Sequence, residues 1–110
     1  MIQLNVRIGA GLKDDFSAYC KSNGISMSDE IKQFMVDFIN KNTLSIEIDN
    51  FFSDALKDGN KRLKVRIDEN LRDKFYNVCE SKNLPISFVI RSHIVRCVSI
   101  YNALKWWNEK

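Results

Sequence analysis

Two stretches of the chain alternate strictly between polar and apolar residues, Gln3-Leu4-Asn5-Val6-Arg7-Ile8 and Arg62-Leu63-Lys64-Val65-Arg66-Ile67. Successive side chains of an extended chain point to opposite faces, so each stretch reads as a short strand with one dry side and one polar side. After each strand the period lengthens. Leu12, Phe16, Tyr19 and Cys20, and then Leu71, Phe75, Val78 and Cys79, follow the i, i+4, i+7, i+8 spacing of an amphipathic helix. Asn23-Gly24 ends the first of these helices, because glycine takes the left-handed conformation that helix C-termini often require, and Asn83 stands at the matching place in the second.

A second helix follows each time. Ser26 reads as its N-cap with Asp29 three residues on, and Ile31, Phe34, Met35, Phe38 and Ile39 form its apolar stripe. Later in the chain Ile90, His93, Ile94, Cys97 and Val98 fill the same stripe, but Pro85 replaces the capping serine, which makes Ser87 the candidate cap. Ile100, Tyr101, Leu104, Trp106 and Trp107 extend the apolar pattern, so this last helix runs on or is followed by a short one. Between the two halves, Ile48, Phe51, Phe52, Ala55 and Leu56 share one helical face ahead of the stop signal Asp58-Gly59-Asn60, which predicts a connecting helix.

These parallels are an internal repeat. An offset of 59 positions superposes Leu4, Val6, Arg7, Ile8, Leu12, Asp14, Phe16, Cys20, Ser22, Ser28 and Ile31 on identical residues. Chance supplies roughly two such matches over the same span. A unit of about 40 residues is too small to bury a core by itself, so the two copies are expected to share one.

The size of the chain, 110 residues, suits a single compact domain, and 45% hydrophobic with 28% charged residues excludes a disordered or low-complexity chain. No apolar run approaches the roughly 18 residues of a membrane span, and the N-terminus lacks the pattern of a secretory signal, so a cytoplasmic protein is expected. Three cysteines, Cys20, Cys79 and Cys97, make neither a disulfide framework nor a C-x-x-C pair. The net charge of +3 hides an asymmetry. Residues 1–60 carry six Lys/Arg against nine Asp/Glu, and residues 61–110 carry eleven against five, so the second half faces a polyanion more strongly.

Two strand-helix-helix units with lone strands are most simply closed by pairing the strands as an antiparallel ribbon. Here the sequence resembles the ribbon-helix-helix (Arc/MetJ-type) family of DNA-binding proteins over residues 3–40 and 62–99. Gln3-x-Asn5-x-Arg7 ahead of Leu12 is similar to the family's ribbon, and Asn23-Gly24-x-Ser26 with Glu30-Ile31 is similar to its turn into the second helix. Family members are usually homodimers of one unit. This chain departs by fusing two non-identical units, as in tandem members among conjugation accessory proteins and viral regulators.

The resemblance implies a mainly α fold with a short two-stranded antiparallel ribbon, a tandem ribbon-helix-helix pseudodimer. Its parts are a first unit over residues 1–40, a connecting helical segment over 41–61, and a second unit with a C-terminal helical extension over 62–110, around one intertwined core. It further implies a sequence-specific double-stranded DNA-binding transcriptional regulator, expected to be a repressor, in a prokaryotic host and possibly encoded by a virus or plasmid. A relaxosome-type accessory factor and an antitoxin-like or viral protein-interaction module are the alternatives.

The expected base-contacting residues are Gln3, Asn5, Arg7, Arg62, Lys64 and Arg66, since Arg and Lys pair with guanine O6/N7 and Asn and Gln with adenine N6/N7. With Val6 set opposite Val65 at the centre, Arg7 falls opposite Lys64 and Asn5 opposite Arg66. Free backbone N–H groups near Ser26, Met27 and Ser28, and near Ile86 and Ser87, are expected at phosphates. The plain alternative for an alternating charged strand is a solvated face, and it is the repeat that favours a reading surface.

The remaining chemistry-bearing residues read as structure. His93 stands where the first copy has Phe34 and is expected to be a core or boundary histidine with a hydrogen-bond partner, and the cysteines are expected to be small buried hydrophobes. His93 and Cys97 are i, i+4 neighbours, but two ligands do not make a zinc site, so no metal is expected. Trp106 and Trp107 are open to two readings, a contact between pseudodimers assembled on DNA or a helix end packed on its own core. No nucleophile and base stand at recognisable spacing and no Gly-rich phosphate loop is present, so no enzyme activity, cofactor or small-molecule ligand is expected.

Overall fold

The structure, a computed structural model, describes residues 1–41 and 61–108. In chain order these form β1 (Ile2–Ile8), α1 (Ala10–Ser22), α2 (Met27–Lys41), β2 (Lys61–Ile67), α3 (Glu69–Ser81) and α4 (Ile86–Asn108). The offset read from the sequence reappears in the boundaries. β2 and α3 begin and end 59 residues after β1 and α1, and α4 begins 59 residues after α2. The fold is mainly helical with one two-stranded antiparallel sheet among the described residues. The connecting helix expected between the copies lies outside the described residues.

The ribbon pairs Ile2 with Ile67, Gln3 with Arg66, Leu4 with Val65, Asn5 with Lys64, Val6 with Leu63, Arg7 with Arg62 and Ile8 with Lys61. This corrects the register expected from a Val6–Val65 centre by two residues. The pair at the centre is Asn5 and Lys64, which are each other's equivalents under the 59-residue offset, so the centre falls on the polar face. The physical reason is ladder length. The observed register engages all seven residues of both strands, whereas a Val6–Val65 centre would run Ile2 and Gln3 past the end of β2 into Asp68 and the first turn of α3. A shift of two residues keeps every side chain on its face. Val6, Ile8, Leu63, Val65 and Ile67 are buried beneath the ribbon, as the alternation predicts.

The helices close over that dry side mainly across the repeat. α4 lies against β1 and α2 against β2, while α1 packs most extensively on α4 and α3 on α2. Phe16, Ile31, Met35, Phe75, Ile90 and Ile94 are fully buried at their meeting point. Each copy therefore supplies the cover for the other copy's strand. At the α2–α3 contact the ring of Phe75 stands edge-on to Phe34 and Phe38, with centroids 6.2 and 5.2 Å away.

The helix ends are built as their residues require. Gly24 and Asn83 both have positive φ, 68° and 56°. The following N–H groups, of Ile25 and Leu84, reach back 3.0 Å to the carbonyls of Cys20 and Cys79 in paired Schellman turns. Ser26 Oγ accepts the Asp29 N–H at 3.1 Å, which caps α2. The expectation for Ser87 is corrected. α4 begins at Ile86, directly after Pro85, whose carbonyl accepts the Val89 N–H at 3.2 Å. Ser87 thus sits at the second helical position, too far into the turn to act as N-cap. A proline before the helix loses little, because the first-turn N–H groups have no intrahelical acceptor in any case. α4 runs unbroken for 23 residues against 15 in α2, so the C-terminal apolar stretch continues the same helix. Among the described residues, no single helix is long and apolar enough to cross a membrane.

Replacing Phe75 with Ala is expected to cost about 3–5 kcal/mol, read as a lower urea midpoint. Since the copies share one core, the variant should still unfold in a single transition. Two separate transitions would contradict that account.

Candidate nucleic-acid interface

The outer face of the ribbon consists of Gln3, Asn5 and Arg7 from β1 and Arg62, Lys64 and Arg66 from β2, and all six are exposed. The structure thus brings together every side chain expected to touch a base. Across the strands they form three rungs, Gln3–Arg66, Asn5–Lys64 and Arg7–Arg62. Gln3 Nε2 donates to Asn5 Oδ1 at 3.4 Å, while Arg7, Arg62, Lys64 and Arg66 make no ion pair among the described residues. Like charges directly opposite across strands destabilise a ribbon. The Arg7–Arg62 rung carries that cost with no ion pair to offset it among the described residues.

Two cations that sequence reasoning left out hold this rung from behind. Lys13 on α1 donates its Nζ to the Arg62 carbonyl at 3.1 Å. Arg91 on α4, only 8% exposed, donates Nη1 to the Arg7 carbonyl at 3.3 Å. Their equivalents under the offset are Arg72 and Lys32, also cationic, so a count of matched charges and not only of identities would have drawn attention to them. The equivalents act differently. Arg72 is drawn to its neighbours Asp73, at 3.0 Å, and Glu69, at 3.9 Å. One end of the ribbon is therefore fastened by two cationic side chains, and positive charge gathers there.

The two second-helix N-termini are not equivalent either. The first turn of α2 carries Asp29 and Glu30, whose carboxylates already occupy the positive end of its dipole, whereas the first turn of α4 carries no acid. Ser26 is exposed but its hydroxyl is committed to the cap, and Met27 and Ser28 are partly buried beside those carboxylates. Ile86 and Ser87 at the start of α4 are partly buried and offer the better anion site of the two.

The other residues singled out from the sequence fall as follows. His93 is partly buried, stacked on Phe34 with ring centroids 4.0 Å apart, and its Nε2 lies 3.1 Å from Glu30 Oε1. Burial pushes its pKa below the usual histidine value, with Glu30 pulling the other way. Cys20, Cys79 and Cys97 are all buried and free. Burial raises the Cys20 and Cys79 thiols to about 11, so both stay protonated near neutral pH. Trp106 and Trp107 are 56% and 69% exposed, so neither belongs to the buried core of the described residues. With Ile100 and Leu104, 50% and 58% exposed, Trp107 forms an i, i+4, i+7 stripe on α4 that starts at the position equivalent to Lys41, the last residue of α2, and runs on beyond it.

Comparison of the chain with protein-family models, with curated proteins and with solved structures finds no match.

Arg91→Met keeps the aliphatic bulk and removes the charged donor from the Arg7 carbonyl. It is expected to lower stability by about 1.5–3 kcal/mol, measured by denaturant unfolding. Lys13→Met, which loses a more exposed bond, should cost less. An Arg91→Met protein as stable as the parent would show that the ribbon end does not depend on this contact.

Proposed function

We propose that this chain is a tandem ribbon-helix-helix pseudodimer that binds double-stranded DNA sequence-specifically and regulates transcription, as a repressor that occupies a promoter. The observation that carries the reading is the outer face of the ribbon, where four cations without acidic partners among the described residues and two amides stand in three rungs. Paired strands are about 4.8 Å apart, so the ribbon with its side chains fits a major groove about 12 Å wide. Phosphates and base acceptors lying over Arg7 and Arg62 would offset the repulsion between them. Backbone N–H groups at the start of α4, and more weakly at the start of α2, fix register on the phosphates.

The register sharpens the expected target. The offset exchanges Arg7 with Arg66, Gln3 with Arg62, and Asn5 with Lys64. Arg7 and Arg66 therefore read the same base, guanine, at symmetric places in the site. Gln3 and Asn5 favour adenine where Arg62 and Lys64 favour guanine. The site is an approximate palindrome broken at its centre. Its ribbon footprint covers few base pairs, so pseudodimers associate side by side on DNA through the Ile100, Leu104 and Trp107 stripe.

That same stripe favours a second reading, a protein-interaction module whose partner is gripped by α4. Salt separates the two, because neutralising phosphates releases counterions and makes duplex binding fall steeply as salt rises, which an apolar protein contact does not.

Selection of duplexes from a random pool should return sites with symmetrically placed guanines around an asymmetric centre. Arg66→Ala is expected to cost about 1–3 kcal/mol on the selected site and less on random DNA. Equal losses on both would assign Arg66 to phosphate, and affinity insensitive to salt would end the DNA reading. Replacing Leu104 and Trp107 together with Ser should leave binding to a single site intact while abolishing cooperative filling of adjacent sites. Undiminished cooperativity would place the contact between pseudodimers elsewhere.

A further inference from the structure

Of the aromatic trio at the α2–α3 contact, only Phe75 keeps an aromatic equivalent, Phe16, on the other side of the molecule. Under the 59-residue offset Phe34 and Phe38 become His93 and Cys97 of α4. These two side chains are one helical turn apart, with Cys97 Sγ 3.4 Å from His93 Nε2. Glu30 joins them from α2, where the equivalent residue in α4 is the buried, apolar Val89. Glu30 Oε1 lies 3.1 Å from His93 Nε2 and 3.7 Å from Cys97 Sγ. Nitrogen, sulfur and oxygen from two helices thus converge at one point between the repeats.

We propose that Glu30, His93 and Cys97 form a binding site for a divalent transition-metal ion, with zinc the natural occupant, that ties α2 to α4. The triangle of donor atoms has the dimensions this needs. Tetrahedral zinc with bonds of about 2.0 Å to nitrogen and oxygen and 2.3 Å to sulfur sets its ligand atoms about 3.3 to 3.6 Å apart, close to the three observed separations. Thiolate and imidazole select zinc and its borderline neighbours over calcium or magnesium, which require a shell of oxygens. The fourth position falls to solvent. His93 is held in place by its stack on Phe34, so its ring plane is set before an ion arrives.

Binding is balanced by one proton. The Cys97 thiol releases its hydrogen to solvent as the sulfur–metal bond forms, the His93 ring shifts its N–H from Nε2, where it faces Glu30 Oε1, to Nδ1 so that Nε2 presents a lone pair, and the Glu30 carboxylate turns its freed oxygen to the metal. Affinity therefore rises with pH, as for any thiol that must be deprotonated by its metal. The site is independent of the DNA reading, since none of its residues belongs to the ribbon.

Cobalt(II) titration of the chelator-treated full chain tests it, because cobalt takes zinc sites and reports their ligands. One equivalent should bind with a thiolate-to-cobalt charge-transfer band in the near ultraviolet and the intense visible bands of a four-coordinate ion, and zinc should then erase both. Cys97→Ser should abolish the charge-transfer band, and Cys79→Ser, which removes a buried thiol elsewhere, should leave it unchanged. Glu30→Gln keeps the shape and every thiol, so it remains informative if Cys97→Ser does not fold. It should weaken cobalt binding by about tenfold or more. Cobalt that keeps the weak spectrum of the hydrated ion would overturn the proposal, as would a charge-transfer band that survives at full affinity in Glu30→Gln.

Discussion

Pairing of the two strands is the contact on which the rest of the structure depends. Neither copy can close a core alone, because the helix that covers each strand belongs to the other copy, α4 over β1 and α2 over β2. The ladder is what brings those helices within reach. It also decides the outer surface: once Val6, Leu63 and Val65 turn inward, the polar alternates of both strands have only one side left to occupy. Core and outer polar face are two consequences of one register.

Much of this was legible in the residues. The alternation marked both faces of each strand, the helical stripes marked Phe16, Phe75, Ile31 and Ile90 as core, and Gly24 with Asn83 marked two left-handed helix ends. These are local signals, carried by spacing within a few residues. What could not be read was relative placement. A slide of two residues along the ladder leaves every face unchanged, so hydrophobic pattern alone does not distinguish an Asn5–Lys64 centre from a Val6–Val65 centre. Lys13 and Arg91 carry no local signal of their role, because the carbonyls they hold lie 49 and 84 residues away in sequence. Glu30 was invisible as a neighbour of His93 for the same reason, being 63 residues distant.

The two copies have diverged in a consistent direction. The first keeps acids at the start of its second helix and amides on its strand, while the second carries Arg62 and Lys64 on the strand and no acid in the first turn of α4. The charge excess of residues 61–110 is thus not spread evenly through the fold. Four of its eleven cations, Lys61, Arg62, Lys64 and Arg66, lie on one strand of the ribbon, and the first turn of α4 carries no acid to oppose a polyanion lying along the molecule.

Fusion of the copies is what permits such divergence. In a dimer of identical units, a histidine in place of Phe34 would appear on both sides of the axis and stack on itself, and a glutamate would stand beside each. In a single chain the exchange is made once. His93 then stacks on a surviving Phe34 at 4.0 Å, and Glu30 meets His93 while the equivalent of Glu30 in α4 is the apolar Val89. The aromatic half of the contact supplies rigidity and apolar burial, and the polar half gathers three donor atoms. The same logic extends to the ribbon, where Asn5 facing Lys64 is a rung that exact symmetry forbids.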